Sequence, residues 1–162
     1  MQIRFSVQTK PVPQARPRFF VRHKGPQQFV GAYDPKQCRT FKEVIAWHAR
    51  LKMRETGIRE VTKDPIAISL HFCMGGGMGR NRKPDSCGFH VKRPDIDNLA
   101  KAVKDALKGI MYADDSQIVE AHLYKQYGGP EVRIEIRTLS AHRRTPASGG
   151  SLRRSRGEEE EK

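Results

Sequence analysis

Four segments of the chain alternate apolar and polar residues, which is the pattern of a β-strand with one buried face. In residues 2–8, every second position from Ile3 to Val7 is apolar. The other three segments are residues 65–73, 117–127 and 131–139. A Gly-Gly-Pro turn at 128–130 separates the last two and predicts that they pair with each other as a hairpin.

Two further segments repeat apolar residues with the 3.6-residue period of an amphipathic helix. They are residues 41–56 and 97–108. Asp95 or Asp97 stands where the second helix should have its N-cap, and Gly109 ends that helix. The order strand, loop, helix, strand, loop, helix, strand, strand predicts an α/β (α+β) domain with a small mixed sheet and two main helices.

Two stretches between these elements are basic and rich in turn formers. Residues 10–25 contain three prolines and are predicted to form an extended, solvent-facing loop. Residues 74–93 are rich in glycine and are predicted to form a mobile loop. They lack the GxxxxGK[ST] pattern of a nucleotide-binding loop, so no small-molecule cofactor is expected. The basic residues predicted to bind DNA are Arg16, Arg18, Arg22, Lys24, Arg80, Arg82, Lys83, Lys92 and Arg93.

Phe19 and Phe20 interleave with the basic residues of the first stretch. Aromatic rings beside cations can stack on nucleic-acid bases while the cations hold phosphates. Alternatively, both rings anchor the loop to the hydrophobic core. The sequence leaves these two interpretations equal.

The net charge is +13, from 31 basic and 18 acidic residues. Residues 140–162 are rich in Ser, Gly and Arg and end in an acidic run, a composition that predicts a disordered, charged tail. We therefore expect one domain over residues 1–139, which carries +11 of the charge. So basic a domain predicts a polyanionic partner, because phosphate neutralisation releases condensed counterions.

The chain has three widely spaced cysteines and no secretory signal in its first residues, MQIRFSVQTK. These features predict reduced thiols and a cytoplasmic location. No run of about 20 apolar residues occurs, so no membrane association is expected.

Acidic residues interrupt this basic chain at the start of the second predicted helix. Asp95 and Asp97 are two residues apart, and in an extended segment such residues point the same way. Lys101 follows one helical turn after Asp97, so its ammonium can reach the same place. Asp114 and Asp115 come after the helix, at the start of the next strand. Carboxylates clustered in a very basic protein suit a Mg²⁺ ion that bridges protein and phosphodiester.

The same acidic residues also have a purely structural interpretation. Asp-x-Asp pairs are common at helix N-caps, and adjacent aspartates form turns. Spacing alone leaves both interpretations open.

Residues 90–128, HVKRPDIDNLAKAVKDALKGIMYADDSQIVEAHLYKQYG, resemble the signature region of the RusA family of Holliday junction resolvases. That family joins a P-D-hydrophobic-D-N-L-x-K helix start to a Y-x-D-D-x-Q-[IV]-V strand start. The run PVPQARPR at 11–18 is similar to phage and prophage members. The resemblance covers residues 5–138, although the glycines at 75–77 and the tail fall outside its pattern.

The resemblance implies a homodimeric enzyme, bacterial or phage-encoded, that resolves four-way DNA junctions by paired symmetric nicks in recombination and repair. It implies Mg²⁺ as the cofactor, with Mn²⁺ as a substitute. By position, Asp95, Asp97 and Asp115 would bind the metal, and together with Lys101 they would be the catalytic residues. Asp114 and His90 are expected close to these ligands.

Two other functions remain open at this level. One is a less selective Mg²⁺-dependent nuclease on branched DNA, which would use the same four residues. The other is a basic nucleic-acid-binding protein without catalysis, in which the aspartates only cap helices. Metal-dependent cleavage would separate the enzymes from the binding protein.

Overall fold

The computed structural model describes residues 1–25, 27–75 and 88–139. It contains six strands and two α-helices in these ranges. The strands are β1 (Gln2–Val7), β2 (Arg18–Lys24), β3 (Gln27–Tyr33), β4 (Ile66–Cys73), β5 (Ile118–Gln126) and β6 (Glu131–Thr138). The helices are α1 (Lys36–Glu55) and α2 (Ile96–Leu107), and a short 3₁₀ turn, Asp115–Gln117, precedes β5.

Four strands form the main sheet in the order β1-β6-β4-β5. The β4–β5 pair is parallel and the other two pairs are antiparallel. Helix α2 connects β4 to β5, as a parallel connection requires. The predicted α+β class with a mixed sheet and two helices is confirmed.

The predicted hairpin between the last two strands is wrong, because β4 lies between β5 and β6. The burial of each strand explains this order. Strand β4 is buried along most of its length, whereas β5 is at best half-buried throughout. The strand that buries apolar residues on both faces therefore takes an interior position, and β5 is left at the edge.

The hydrophobic core lies between one face of this sheet and the two helices. Helix α2 supplies a continuous apolar stripe from Leu99 to Leu107, and β4 supplies Ile66, Ile68, Leu70 and Phe72. The opposite face of the sheet, here called the open face, carries charged and polar side chains of β1, β5 and β6. The two helices thus cover one face and leave the other to solvent.

Helix α1 begins at Lys36, five residues before the predicted start, directly after Pro35. Its first turn contributes Cys38 to the interior but is otherwise exposed, so apolar periodicity could not reveal it. The predicted loop over residues 10–25 is correct as far as Pro17. Beyond it, β2 and β3 form a separate two-stranded hairpin.

Residues 76–87, which include Arg80, Arg82 and Lys83, and residues 140–162 lie outside the described residues. Within the described ranges, neither helix has the length and apolarity needed to cross a bilayer.

Candidate active site

Asp95 and Asp97 lie at the start of α2, with Asp95 at the N-cap and Asp97 in the first turn. Asp95 has extended backbone angles, but its side chain makes no capping hydrogen bond. Both residues are exposed. Within the described residues neither carboxylate has a hydrogen-bond or ion-pair partner. Their charges are therefore not used for helix capping and are available to a ligand.

Hydrogen bonds to backbone carbonyls, from two directions, hold the segment before α2 and the first turn of this helix. The Lys125 ammonium, on β5, donates to the carbonyl oxygens of Lys92 (2.8 Å) and Pro94 (2.6 Å). From the other side, the amide of Gln14 donates to the carbonyl of Asn98 at 2.8 Å. The start of α2 is thereby fixed between the end of β5 and the proline-rich segment.

A cleft of about 880 Å³ opens beside Asp95. The proline-rich segment and the first turns of α1 and α2 form its walls, so the N-termini of both helices meet there. Its basic lining residues are Lys10, Lys36 and Arg93. Sequence reasoning did not select Lys10 or Lys36. The early start of α1 concealed Lys36, whereas Lys10 could have been included with the basic loop.

Asp114 has a structural role at the other end of α2. Its carboxylate accepts a hydrogen bond from the amide of Ser116 and forms a capping box with Gln117. Its second oxygen pairs with the ammonium of Lys108. The hydrogen bond from Lys108, followed by those from Ser116, lowers the pKa of Asp114 well below its usual range. The structure thus gives Asp114 a turn-forming role.

The neighbouring Asp115 is half-buried, and its buried Oδ1 has no hydrogen-bond partner within the described residues. It lies close to Tyr112, whose hydroxyl donates to the carbonyl of Lys104. Burial raises the pKa of Tyr112 strongly, and the negative charge of Asp115 raises it further. A buried carboxylate oxygen without a partner is costly unless a cation or a proton occupies it.

Helix α2 keeps the two groups of aspartates apart. Asp97, Lys101 and Lys108 lie along its exposed stripe, with Asp97 near one end and Lys108, close to Asp115, at the other. A helix of 12 residues is about 18 Å long. In the part of the chain that the structure describes, no three His, Cys, Asp or Glu side chains approach closely enough to share a metal ion. One copy therefore does not bring Asp95, Asp97 and Asp115 together.

His90 lies beside the last residues of β5, where its amide donates to the carbonyl of Lys125. Its ring is 4.7 Å from that of Tyr127, and its buried Nδ1 has no partner among the described residues. No hydrogen bond joins it to Asp95 or Asp97 within those residues.

The open face of the sheet is electrostatically balanced. Arg4 pairs with Glu135 at 2.8 Å, Arg133 with Glu131 at 2.8 Å, and Arg137 with Glu120 at 2.7 Å. A hydrogen bond from His122, together with Arg137, lowers the pKa of Glu120, and Arg4 lowers that of Glu135. Each of these arginines has an acidic partner, so this face offers little net charge to a polyanion.

The helical side and the proline-rich segment carry the cations without acidic partners. Within the described residues no ion pair neutralises Lys10, Arg16, Arg18, Lys36, Arg50, Arg54, Arg59, Lys92, Arg93, Lys101 or Lys104. Of the predicted DNA-binding residues, Arg16, Arg18, Arg22, Lys92 and Arg93 are exposed. The backbone of Lys24 belongs to β2, and its side chain lies outside the described part. The unneutralised charge is thus on the same side as Asp95, Asp97 and Lys101.

Comparison with known proteins gives two matches. Residues 8–137 match the model of the family described as endodeoxyribonuclease RusA. The chain is also 31% identical over 147 residues to an uncharacterised protein, YqaN, of Bacillus subtilis (strain 168). That match covers 86% of this chain and 98% of the relative.

Proposed function

Because the chain belongs to the RusA family of endodeoxyribonucleases, we propose that it resolves four-way DNA junctions by paired, Mg²⁺-dependent nicks. The family makes it a nuclease with a DNA substrate, which favours an enzyme over a binding protein without catalysis. The preference for four-way junctions, the paired nicks and the role in recombination and repair are the proposal.

The observation that carries the proposal is the set of free carboxylates around α2. Asp95 and Asp97 have no partner among the described residues, and Asp115 has a buried oxygen without one. Carboxylate oxygens are the ligands that Mg²⁺ prefers, and Mn²⁺ accepts the same set. These three residues would hold the ion. When bound, it would lower the pKa of a water molecule and neutralise charge at the phosphorus.

Lys101 has no acidic partner in the described structure and lies one turn after Asp97. Its ammonium would stabilise the negative charge that develops on the phosphate oxygens in the transition state. Lys10, Lys36 and Arg93 would hold the flanking phosphates across the adjoining cleft.

We further propose that the active form is a homodimer whose two metal sites are each shared between copies. Ligands of one Mg²⁺ ion must have their oxygens within roughly 4 Å of each other, because each lies about 2 Å from the ion. The length of α2 prevents this within one copy. If two α2 helices pair antiparallel about a two-fold axis near Lys101, Asp97 lies beside the partner's Asp115. Two such sites match the two-fold symmetry of a four-way junction.

Cleavage of labelled four-way, Y-shaped and linear duplex DNA by the purified protein, with Mg²⁺ or with EDTA, tests the proposed function. We expect symmetric nicks in the four-way junction, loss of cleavage in EDTA, and little cleavage of linear DNA. Equal cleavage of four-way and Y-shaped DNA would instead support the less selective nuclease. Binding without any metal-dependent cleavage would contradict both.

A further inference from the structure

The β2–β3 hairpin makes no sheet with the rest of the domain. Within the described residues its strands pair with each other alone, from Arg18 with Tyr33 to Lys24 with Gln27. Large apolar side chains on it stay exposed, including Phe19 at 75% and Phe29 at 51%. Both faces of the hairpin therefore carry exposed apolar side chains that are not part of the hydrophobic core.

The two faces differ in chemistry, because successive residues of a strand point to opposite sides and cross-strand partners share a side. One side carries Phe20, Arg22, Phe29 and Tyr33 and is here called the aromatic face. The other carries Phe19, Val21 and Val30 and no charged residue with a described side chain. Cations and rings thus alternate on one face only.

Contacts within the aromatic face hold its central ring in place. The Phe20 ring lies against the backbone of Gly31 and leaves no room there for a Cβ atom. Its centroid is 6.1 Å from that of Tyr33, and the Arg22 guanidinium carbon is 5.3 Å from it. Because the Phe20 ring is already held in place, little conformational entropy is lost when a ligand stacks on this face.

The positive charge of the hairpin indicates which class of partner it would bind. Residues 18–33 contain three basic residues besides histidine and no acidic residue. A second copy of this chain would bring its own excess of positive charge to this face. Nucleic acid combines phosphates for the cations with flat bases for the rings.

The base of the hairpin lies beside the proposed active site. Asp34, directly after β3, accepts from the Lys42 ammonium (2.9 Å) and from the side-chain amide of Gln14 (3.1 Å). The backbone amide of Gln14 in turn donates to Asn98, next to Asp97. The base of the hairpin is therefore held close to the N-terminal end of α2, where the phosphate to be cut would lie.

From these observations we propose that the aromatic face is a stacking site for unpaired or unstacked bases at the branch point of the DNA. This inference rests on the proposed function, because it assigns the bases to the substrate of the same site. Phe29 is the main contact, since its ring is half-exposed and makes no ring contact of its own within the described residues. Phe20 and Tyr33 lie on the same face and would extend the stacking surface next to Phe29.

The test compares Phe29→Ala with Phe19→Ala, the matched exposed ring on the opposite face. Binding is measured by fluorescence anisotropy in EDTA on two four-way junctions, one intact and one with abasic residues at the four branch-point positions. We expect Phe29→Ala to weaken binding to the intact junction by about tenfold, the scale of one stacked base. On the abasic junction we expect Phe29→Ala to bind as tightly as the wild type does, because the bases that Phe29 would contact are absent. Phe19→Ala should match the wild type on both junctions.

Two more substitutions separate stacking from simple apolar contact. Phe29→Trp should retain wild-type affinity, whereas Phe29→Leu should bind as weakly as Phe29→Ala. Wild-type affinity in both Phe29→Ala and Phe29→Leu would overturn the proposal. So would a variant that shifts the protein from dimer to monomer in sedimentation while abasic residues have no effect, because the hairpin would then be a subunit contact.

The same variants are also measured on a single-stranded oligonucleotide and on its abasic counterpart. If the wild type does not cleave junctions in Mg²⁺, the proposed function fails. The hairpin inference then still stands or falls on whether Phe29 distinguishes these two single strands.

Discussion

The Lys42 ammonium lies 3.1 Å from a carboxylate oxygen of Asp105 and joins α1 to α2. The same ammonium lies 2.9 Å from Asp34, at the base of the β2–β3 hairpin. One half-buried cation thus connects both helices and the hairpin, and removing it leaves two carboxylates facing each other.

Lys42→Met should lower the free energy of unfolding by about 1–2 kcal/mol, between the values for exposed and for buried ion pairs. Burial lowers the pKa of Lys42, but the hydrogen bonds and charges of Asp34 and Asp105 outweigh it and raise the pKa above its usual value. The difference from wild type should therefore be complete below about pH 10.4, the pKa of an unfolded lysine, and shrink as the pH rises further. Denaturant melts at several pH values measure this.

Lys52→Met is the control, since Lys52 forms a more exposed pair with Glu55 on the same helix. It should change stability by no more than about 0.5 kcal/mol. Equal losses in both variants would show that the triad of Lys42, Asp34 and Asp105 has no special role.

Asp114→Asn and Asp115→Asn should impair different properties of the protein, the first its stability and the second its cleavage activity. Asp115→Asn removes a carboxylate whose buried Oδ1 has no partner among the described residues, so cleavage should fall on the order of 100-fold or more while thermal stability is kept. Asp114→Asn breaks the pair with Lys108 and should mainly lower the melting temperature. Its pKa is lowered in the folded state, so that loss should be present above about pH 3.9 and disappear as the pH falls further.

Thermal melts and single-turnover cleavage of a four-way junction, both run on the two variants, check this contrast. A stable Asp114→Asn protein without activity, beside an active Asp115→Asn protein, would reverse the assignment of the two neighbours.

Mixing two inactive variants tests the shared metal site. Asp97→Asn and Asp115→Asn homodimers should each bind junctions but not cleave them. In a heterodimer of the two, a shared-site arrangement leaves one site with both substitutions and the other with none. If subunits exchange at random, about half of all dimers in the mixture are heterodimers. Each heterodimer has one intact site and should therefore make single nicks. Denaturing gels of a junction labelled on each strand would show these nicks, whereas sites built within one copy would leave the mixture inactive.

Local patterns predicted most of the main sheet and α2 correctly. The side chains of β4 and α2 that pack in the core between the sheet and the helices are apolar, so the alternation from Ile66 to Phe72 and the stripe from Leu99 to Leu107 predicted both elements. The β2–β3 hairpin was not predicted because apolar residues are exposed on both of its faces, so its sequence does not show the alternation of a strand with one buried face. The position of β6 between β1 and β4 was missed because strand order depends on pairings between distant residues.

The candidate site shows a similar division. Spacing correctly placed Asp95, Asp97 and Lys101 around the start of α2, since helical geometry links positions one turn apart. Spacing could not show that α2 separates them from Asp115, because that distance depends on where the chain returns after the helix. It also could not divide the roles of Asp114 and Asp115, since Asp114 forms its ion pair with Lys108, six residues earlier, on the other side of the turn.

Lys101→Ala should lower the cleavage rate at saturating Mg²⁺ on the order of 100-fold. The Mg²⁺ concentration that gives half-maximal cleavage should change little, because the ammonium acts on the phosphate and a neighbouring positive charge does not help to bind a cation. Single-turnover rates over a Mg²⁺ titration measure both quantities. A wild-type rate at saturating metal would remove Lys101 from the mechanism.

The two faces of the domain should respond differently to loss of charge. Affinity for a four-way junction should fall steeply with salt, by on the order of a thousandfold between about 50 and 200 mM if about six phosphates are neutralised. Arg93→Gln and Lys36→Gln each remove a cation of the cleft beside Asp95 that has no acidic partner among the described residues. Each should reduce the slope of log affinity against log salt by about one unit and weaken binding regardless of arm sequence.

Arg4→Gln is the matched control, because Arg4 lies on the open face and its charge is already balanced by Glu135 at 2.8 Å. It should leave both the affinity and the salt slope close to wild type. Anisotropy titrations of the three variants at four salt concentrations, on junctions with two unrelated arm sequences, give the slopes. If Arg4→Gln weakened binding as much as Arg93→Gln, the open face would also contact DNA, and the helical side could not be the principal binding surface. An affinity that followed arm sequence and ignored branching would contradict recognition through phosphates and junction shape.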